Sequence, residues 1–587
     1  MSQIYNKISE PLFQKFEEIV GRKYFFVEEE HIRSYTFGST MIEPEWVPEL
    51  ILIPQNSKQI SDILKLANKN KIPVTPRGSG TSLSAGSLTP YGGLIIDLSV
   101  MNKVISIDIE NNLVEVEPGV ICDELNAKLK PYGYFFPPDP GSSSVATIGG
   151  MVATNAGGVQ AFKYGVTQHY ILFLEVVFPA GNIVKLGSNV LKSVSSYNLK
   201  DLIIGSEGTL GVITKIGLKI RPLPKVRKTG FFMFDDIDKL AEAVLEIRRK
   251  GIVTNLFEFM DKITVTAIFE FLGGEFEQYP KDYVLLAEID GLNEYAVQEE
   301  FSILFDIMIK NNPTFYKIAN NPEERDILIG ARKSAFPAYS RIGPSCCVED
   351  CTIKITDFSK VMKKFENMRK ELDIPNIITA MVCHMEGNIH PTFIFNENDP
   401  KDRADFKKAV DYLYKEIIIP IGGSITGEHG IGKVKTPFLA LEHGDDVVDL
   451  MHQIKKLIDP NLILNPGIGK GDIRPLKLTN ITRNLKNHPN ILLDLNCMRC
   501  GFCQTTCPSR MVYKSEAYSP RGRLSLLNSL VHDELDLEKK ERINEIFHTC
   551  TLCGQCYSKC PAGVRTHEIF EKAREILHKR TEKNVKN

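Results

Sequence analysis

Two short runs hold imidazoles and carboxylates at spacings that let them act together. They are Cys383-His384-Met385-Glu386-Gly387-Asn388-Ile389-His390 and Gly423-Ser424-Ile425-Thr426-Gly427-Glu428-His429-Gly430-Ile431-Gly432. Gathered in three dimensions, such groups form a ligand set for Zn²⁺, Mn²⁺ or Fe²⁺ with coordination positions left open. A substrate hydroxyl that takes such a position on the metal gives up its proton more readily, as metal-bound water does. The proton needs a base. His429 suits that role near neutral pH, since an unperturbed imidazole has a pKa of about 6.5. Read as a strand, His384, Glu386, Asn388 and His390 share one parity and face one side. The competing reading is that no metal binds and His390 and Glu428 merely hydrogen-bond.

Thirteen cysteines are present, and eight of them fall in two runs of one pattern near the C-terminus. Cys497, Cys500, Cys503 and Cys507 precede Pro508, while Cys550, Cys553, Cys556 and Cys560 precede Pro561. Three closely spaced thiolates occupy three corners of one cubane, and in paired runs of this kind the fourth cysteine serves the other cluster. Two 4Fe–4S clusters are therefore expected. Cys497, Cys500, Cys503 and Cys560 would hold one, and Cys550, Cys553, Cys556 and Cys507 the second. Zinc is disfavoured because both prolines and all eight cysteines of the two runs match the cluster pattern. The other thiols, Cys122, Cys346, Cys347, Cys351 and Cys383, fit a reducing compartment.

A third chemical signal is Pro76-Arg77-Gly78-Ser79-Gly80-Thr81-Ser82-Leu83-Ser84-Ala85-Gly86. Its glycines let backbone N–H groups approach a pyrophosphate, because no Cβ intervenes. A Rossmann loop would open straight into a helix, whereas Thr89-Pro90-Tyr91-Gly92-Gly93 and the apolar Leu94-Ile95-Ile96 follow here. The elements that must carry these groups are legible around them. Residues 57–70 place Ile60, Ile63, Leu64 and Ala67 at helical spacing behind Ser57 as N-cap. Pro73-Val74-Thr75 is a short strand delivering the loop, and Leu113 to Glu117 alternates like a half-buried strand. Two further glycine-dense stretches run from Pro137 to Gly158 and from Gly205 to Ile213, the second leading into strand-like Lys219-Ile220 and stopping at Pro222 and Pro224. Helix and strand signals interleave, so the fold class is α+β.

The chain of 587 residues has room for about three to four domains. A net charge of −2 with interspersed signs offers no footprint for nucleic acid. Glu10, Glu17 and Glu18 stand where a secretory peptide needs an apolar core, and no run of about 18 apolar residues occurs. A cytoplasmic protein is expected, at most peripheral at the inner face of the membrane through a partner.

Taken in order, Pro76–Gly86, Pro137–Gly158 and Gly205–Ile213 resemble the flavin-binding domain of the vanillyl-alcohol oxidase (PCMH) type, and more narrowly the D-lactate dehydrogenase and glycolate oxidase branch. The resemblance implies non-covalent FAD, with Pro76, Arg77, Gly78, Ser79, Gly80, Thr81 and Ser82 on the pyrophosphate. Nearer the ribityl chain and isoalloxazine it implies Pro140, Gly141, Ser142, Thr147, Gly149, Gly150, Asn155, Glu207, Gly211 and Ile213. Leu464-Asn465-Pro466-Gly467 matches the motif whose asparagine, here Asn465, returns to the flavin. His169 lies where some flavoproteins carry a covalent histidine, but no spacing supports that and a structural role is expected. Arg332, in Gly330-Ala331-Arg332-Lys333-Ser334, falls where the family carries a substrate-binding arginine, and its planar fork grips a carboxylate bidentately. Glu428 and His429 fall on a metal-binding glutamate and the catalytic histidine. The first run departs from the pattern. Counting back from His390 puts Cys383 at the first ligand position, with His384 one residue off, so His384 and Cys383 stand as alternatives, the former favoured by strand parity.

Leu524, Leu526, Leu527 and Leu530, then Asp533 to Ile546, read as helices between the cysteine runs. They resemble the α-helical ferredoxin module of succinate dehydrogenase iron–sulfur subunits and of the glycolate oxidase partner. The expected organisation is an N-terminal helical segment (1–45), a two-subdomain FAD-binding domain (46–225) and an α+β substrate or cap domain with the metal and catalytic residues (226–470). A linker (471–490) and an all-α ferredoxin-like domain (491–587) follow. Joined, these parts imply oxidation of a 2-hydroxy acid, with electrons passing from FAD through the clusters to a redox protein. That acceptor would be an iron–sulfur subunit, an electron-transferring flavoprotein or a quinone-reducing membrane subunit. Two alternatives compete: an electron-relay subunit without its own substrate, and a transferase of the alkylglycerone phosphate synthase type, against which the clusters count.

Overall fold

The computed structural model describes residues 5–36, 38–39, 46–397, 399–469, 497, 499–531 and 540–585. The expected linker 471–490 lies outside them, as does the start of the helical stretch expected from Asp533.

The first sheet runs in the order Phe25–Phe26, Leu50–Leu52, Leu94–Asp97, Val74–Arg77, its last three strands parallel. Parallel neighbours need a crossover, and the helix Ser57–Asn70 supplies one. Its N-cap is Asn56 rather than the expected Ser57: the Asn56 side chain accepts the Gln59 N–H at 3.0 Å. Phe25–Phe26 pairs antiparallel with Leu50–Leu52, and Phe16, Val20 and Phe25 share a core with Leu50, Leu52 and Leu64. The expected boundary at residue 45 therefore cuts through one packed unit, and the helices Glu10–Val20 and Glu29–Arg33 belong to the first subdomain.

The second sheet is antiparallel throughout, in the order Val104–Asp108, Leu113–Val116, Val212–Lys219, Ile171–Val177, Ile183–Gly187. The helices Cys122–Leu129 and Ile148–Thr154 share its core through Leu125, Leu129, Met151 and Val152. These two sheets form the two subdomains that the resemblance leads one to expect of this region.

A large antiparallel sheet follows, ordered Phe315–Ile318, Val226–Phe234, Tyr283–Gly291, Leu256–Met260, Ile378–His384, Asn388–Phe395, Ser345–Val348. Alternation along its strands separates two cores. Phe232 and Phe234 pack with the helices Ile237–Arg249, Glu294–Lys310 and Phe358–Glu371, while Phe231 and Met233 pack with Lys262–Leu272 and Pro322–Lys333. Beyond Cys497, every regular element among the described residues is a helix, including Pro508–Tyr513, Pro520–Val531, Lys540–His548 and Thr566–Val585. No described helix is long and apolar enough to cross a membrane.

Candidate active site

The strand Val74–Arg77 ends in the glycine-rich loop, and that loop forms one wall of a cavity of about 550 Å³. Gly78 lies close against Thr147: a Cβ there would sit 2.3 Å from Thr147 Oγ1 and push that hydroxyl aside. Thr147 in turn caps the helix Ile148–Thr154, accepting the Gly150 N–H at 3.2 Å, so the first two glycine segments lock together. The third joins through Asn465, whose amide donates to the carbonyls of Gly86 at 2.9 Å and Glu207 at 2.6 Å. Lys433 Nζ donates to Asn465 Oδ1 at 2.6 Å and fixes the amide's orientation. Residues 76–82, Pro140, Gly141, Ser142, Thr147, Gly149, Gly150, Glu207, Gly211, Ile213 and Asn465 all line the cavity.

Asn155 corrects the expected set. It ends its helix at φ 51°, and its side chain pairs with Gln168, accepting the backbone N–H at 2.9 Å and donating to Oε1 at 3.2 Å. It is absent from the cavity wall. His169 closes its own turn by accepting the Val166 N–H at 3.1 Å, and it too stays off the wall.

The hairpin Ile378–His384/Asn388–Phe395 pairs His384 with Asn388 and Val382 with His390. Opposed residues of an antiparallel pair share a face, and Val382, His384, His390 and Thr392 line the cavity. Cys383 has the other parity and is buried in the core behind, beside Met381, Ile389 and Phe393. The loop carrying Glu428 completes a group: His384, His390 and Glu428 offer ligand atoms that lie within 4.8 Å of one another. Glu428 Oε1 is 3.3 Å from His384 Nε2 and 3.4 Å from His390 Nε2. Burial works to raise the Glu428 carboxyl, but the two imidazoles outweigh it and hold the group far below the ordinary range. The His429 ring stacks on that of His390 at 5.1 Å.

Two carboxylates missed by sequence reasoning organise this group. Glu258, fully buried, pairs through Oε1 with His384 Nδ1 at 2.6 Å and accepts from Arg332 Nε through Oε2 at 2.9 Å. One side chain thus orients an imidazole and the expected substrate arginine together. The signal was a single acid inside the apolar strand Leu256–Met260. Asp350, also fully buried, accepts the N–H groups of Gly427, Glu428 and His429 at 2.8, 2.9 and 2.9 Å, and Asn388 donates to its other oxygen at 2.7 Å. Burial opposes its charge, yet His429, Lys435 and His390 keep the carboxyl well below its usual range. In sequence it looked like any acid in Val348-Glu349-Asp350-Cys351.

The cysteine runs reach the same place. Cys500, Phe502 and Pro561 line the same cavity as the histidines. Burial raises the thiols of Cys497, Cys500 and Cys503, and Cys560 lies close enough to add to the effect on all three. Cys507 lines a second, small hollow with Cys550, Cys553 and Cys556. The fourth cysteine of each run therefore sits with the first three of the other. Cys553 is exposed.

The architecture and these paired loops define a flavoprotein oxidoreductase fold joined to an iron–sulfur module. Residues 48–187 match the FAD binding domain family, 223–468 the C-terminal domain of FAD linked oxidases, and 495–564 the 4Fe-4S dicluster domain. Glycolate oxidase subunit GlcD of Bacillus subtilis is 34% identical over 435 residues, covering 74% of this chain and 91% of its own. D-lactate dehydrogenase of Anaerostipes hadrus is 33% identical over 476 residues, 79% of this chain and 98% of its own. Among solved structures, p-cresol methylhydroxylase with substrate bound superposes with a TM-score of 0.64 at 19% identity, over 78% of this chain and 96% of that one. That likeness shows the fold alone. The chain belongs to the family of FAD-linked oxidases that includes GlcD-type glycolate oxidase subunits and D-lactate dehydrogenases, and it carries a 4Fe–4S domain behind the shared part.

Proposed function

We propose that the protein oxidises a 2-hydroxy acid of the D-lactate or glycolate type to the 2-oxo acid and passes the electrons to a redox protein. The observation that carries this reading is the convergence, in one cavity, of the glycine-rich nucleotide loop, the His384–His390–Glu428 group, His429, Arg332 and Cys500. Bound FAD would supply the two-electron acceptor for the carbinol hydrogen, a divalent ion would acidify the hydroxyl, and two 4Fe–4S clusters would carry the electrons away singly.

The residues present fit these groups. His384, His390 and Glu428 would hold the ion, and the burial of Cys383 on the far side of the strand supports His384 over it. Glu258 on His384 Nδ1 is the carboxylate partner that fixes a metal-binding imidazole's tautomer. Arg332, held at Nε by Glu258, keeps its other donors for the substrate carboxylate. His429 takes the hydroxyl proton, and Asp350 holds the loop that aims it. Cys497, Cys500, Cys503 and Cys560 would bind one cluster beside the cavity, and Cys550, Cys553, Cys556 and Cys507 the other. The relatives' names support the substrate class, since one is a glycolate oxidase subunit and another a D-lactate dehydrogenase.

The test is anaerobic addition of D- and L-lactate, glycolate, malate and 2-hydroxyglutarate to the holoprotein, recording the flavin band and then the cluster bands. One of these acids should bleach the flavin first. If none does, the dehydrogenase reading fails.

A further inference from the structure

Between the nucleotide loop and the first cysteine run lies a fully buried guanidinium, that of Arg521 at the start of the helix Pro520–Val531. Its donors divide between the two sides. Nη2 donates to the carbonyl of Ser79 at 2.8 Å and Nη1 to that of Gly80 at 3.2 Å, both in the loop of the cavity wall. Nη1 also donates to the carbonyl of Arg499, between Cys497 and Cys500, at 3.2 Å. Nε donates to Glu516 Oε1 at 2.8 Å, and Glu516 accepts from Gln504, just past Cys503, at 2.7 Å. One planar fork therefore bolts the nucleotide loop to the cysteine loop, a geometry a lysine does not reproduce.

A buried charge is costly unless paired, and Glu516 supplies the pairing. That pairing leaves both Nη groups on backbone carbonyls, and one of them, that of Arg499, belongs to the loop that carries Cys497 and Cys500. A cluster held by those thiolates gains negative charge on reduction, and a fixed cation favours that form. The potentials of such clusters follow local charge and hydrogen bonding.

We propose that Arg521 is the positioning residue that holds the first cluster against the nucleotide loop and biases that cluster toward its reduced form. The step it serves adds one electron from reduced FAD to the oxidised cluster, with no bond made or broken between them. This rests on the cofactor assignment above and is independent of the hydroxy acid.

The experiment uses the full holoprotein and Arg521→Gln, Arg521→Lys and Glu516→Gln, each assayed for FAD, iron and sulfide. Potentials are read by redox titration with EPR, and transfer by flash photoreduction of the bound FAD, so no substrate is needed and failure of the hydroxy-acid reading leaves the result standing. Arg521→Gln should make the first cluster about tenfold harder to reduce, which is 59 mV for a one-electron couple. Glu516→Gln should shift it the opposite way. Arg521→Lys should keep the potential and slow the transfer. An Arg521→Gln protein with full cofactor content and the parent's potential and transfer rate overturns the proposal. So do shifts of one sign in both neutralised variants, or loss of the cluster from all three, since either makes the contact merely structural.

Discussion

At the scale of single residues, the site divides into groups that local spacing announces and groups that it does not. The cysteine runs and the Glu428-His429 pair were readable because the members of each run sit within a few positions of one another, although their partners in space do not. Glu258 was not, because the imidazole it orients is 126 residues away and only the large sheet brings them together. The choice between Cys383 and His384 turns on which face of one strand each occupies, and a test follows. His384→Ala should lose the bound divalent ion, whereas Cys383→Ala should keep it and lose about 1 kcal/mol of stability from the small void it leaves. Metal analysis and thermal unfolding of the two variants check this, and retained metal in His384→Ala would refute the assignment. For His429→Gln the rate of flavin bleaching by the substrate should fall by roughly 10²–10⁴, the usual worth of a general base, while FAD content stays at the parent level. Stopped-flow absorbance measures it.

Among the elements, periodicity located helices well and caps less well. The spacing of Ile60, Ile63, Leu64 and Ala67 gave the helix, but Asn56 rather than Ser57 caps it, since both residue types serve and only the backbone's extended turn at Asn56 decides. Asn155 misled because its glycine-rich surroundings line the cavity while its own left-handed backbone directs it to Gln168. Another cap makes a pH prediction. Asp261 begins the helix Lys262–Leu272, accepting the Thr264 N–H at 2.8 Å, and burial raises its carboxyl to about 7. The folded state thus binds this proton more tightly than the unfolded chain does, near the ordinary 3.9 of an aspartate. Its contribution to stability is full below that value and fades as pH rises through about 7, by about 1.4 kcal/mol per pH unit in between. Asp261→Asn should flatten that part of the profile in denaturant titrations run between pH 4 and 8. An unchanged slope would show that another group titrates there.

Across the whole molecule, three parts of the chain meet at one cavity, an arrangement that the sequence outlined as an order of domains but not as a contact. Nothing local says that Phe502 and Pro561 will face the nucleotide loop, because that depends on how the helical module docks. His31 Nδ1 lies 2.9 Å from Ser515 Oγ, and Arg510 donates to Ser99 Oγ at 3.0 Å, so the N-terminal helices and the first sheet both take part in that docking. A functional split follows. Cys500→Ser should leave substrate able to reduce the flavin but cut electron delivery to an external one-electron acceptor by at least about tenfold, as measured by comparing single-turnover bleaching with steady-state acceptor reduction. Equal loss of both activities would mean that the cluster only props up the fold.

Under the cluster assignment proposed above, the placing of Cys507 and Cys560 each among the other run's thiols would also govern how the protein matures. Neither proposed centre could be completed from one cysteine run, because each would wait for a ligand supplied by the other run. Such a module would be a clasp that shuts once, after residue 560 has been synthesised; a chain ending before residue 550 would forfeit one ligand of the first proposed centre and three of the second, and one ending just short of 560 only Cys560.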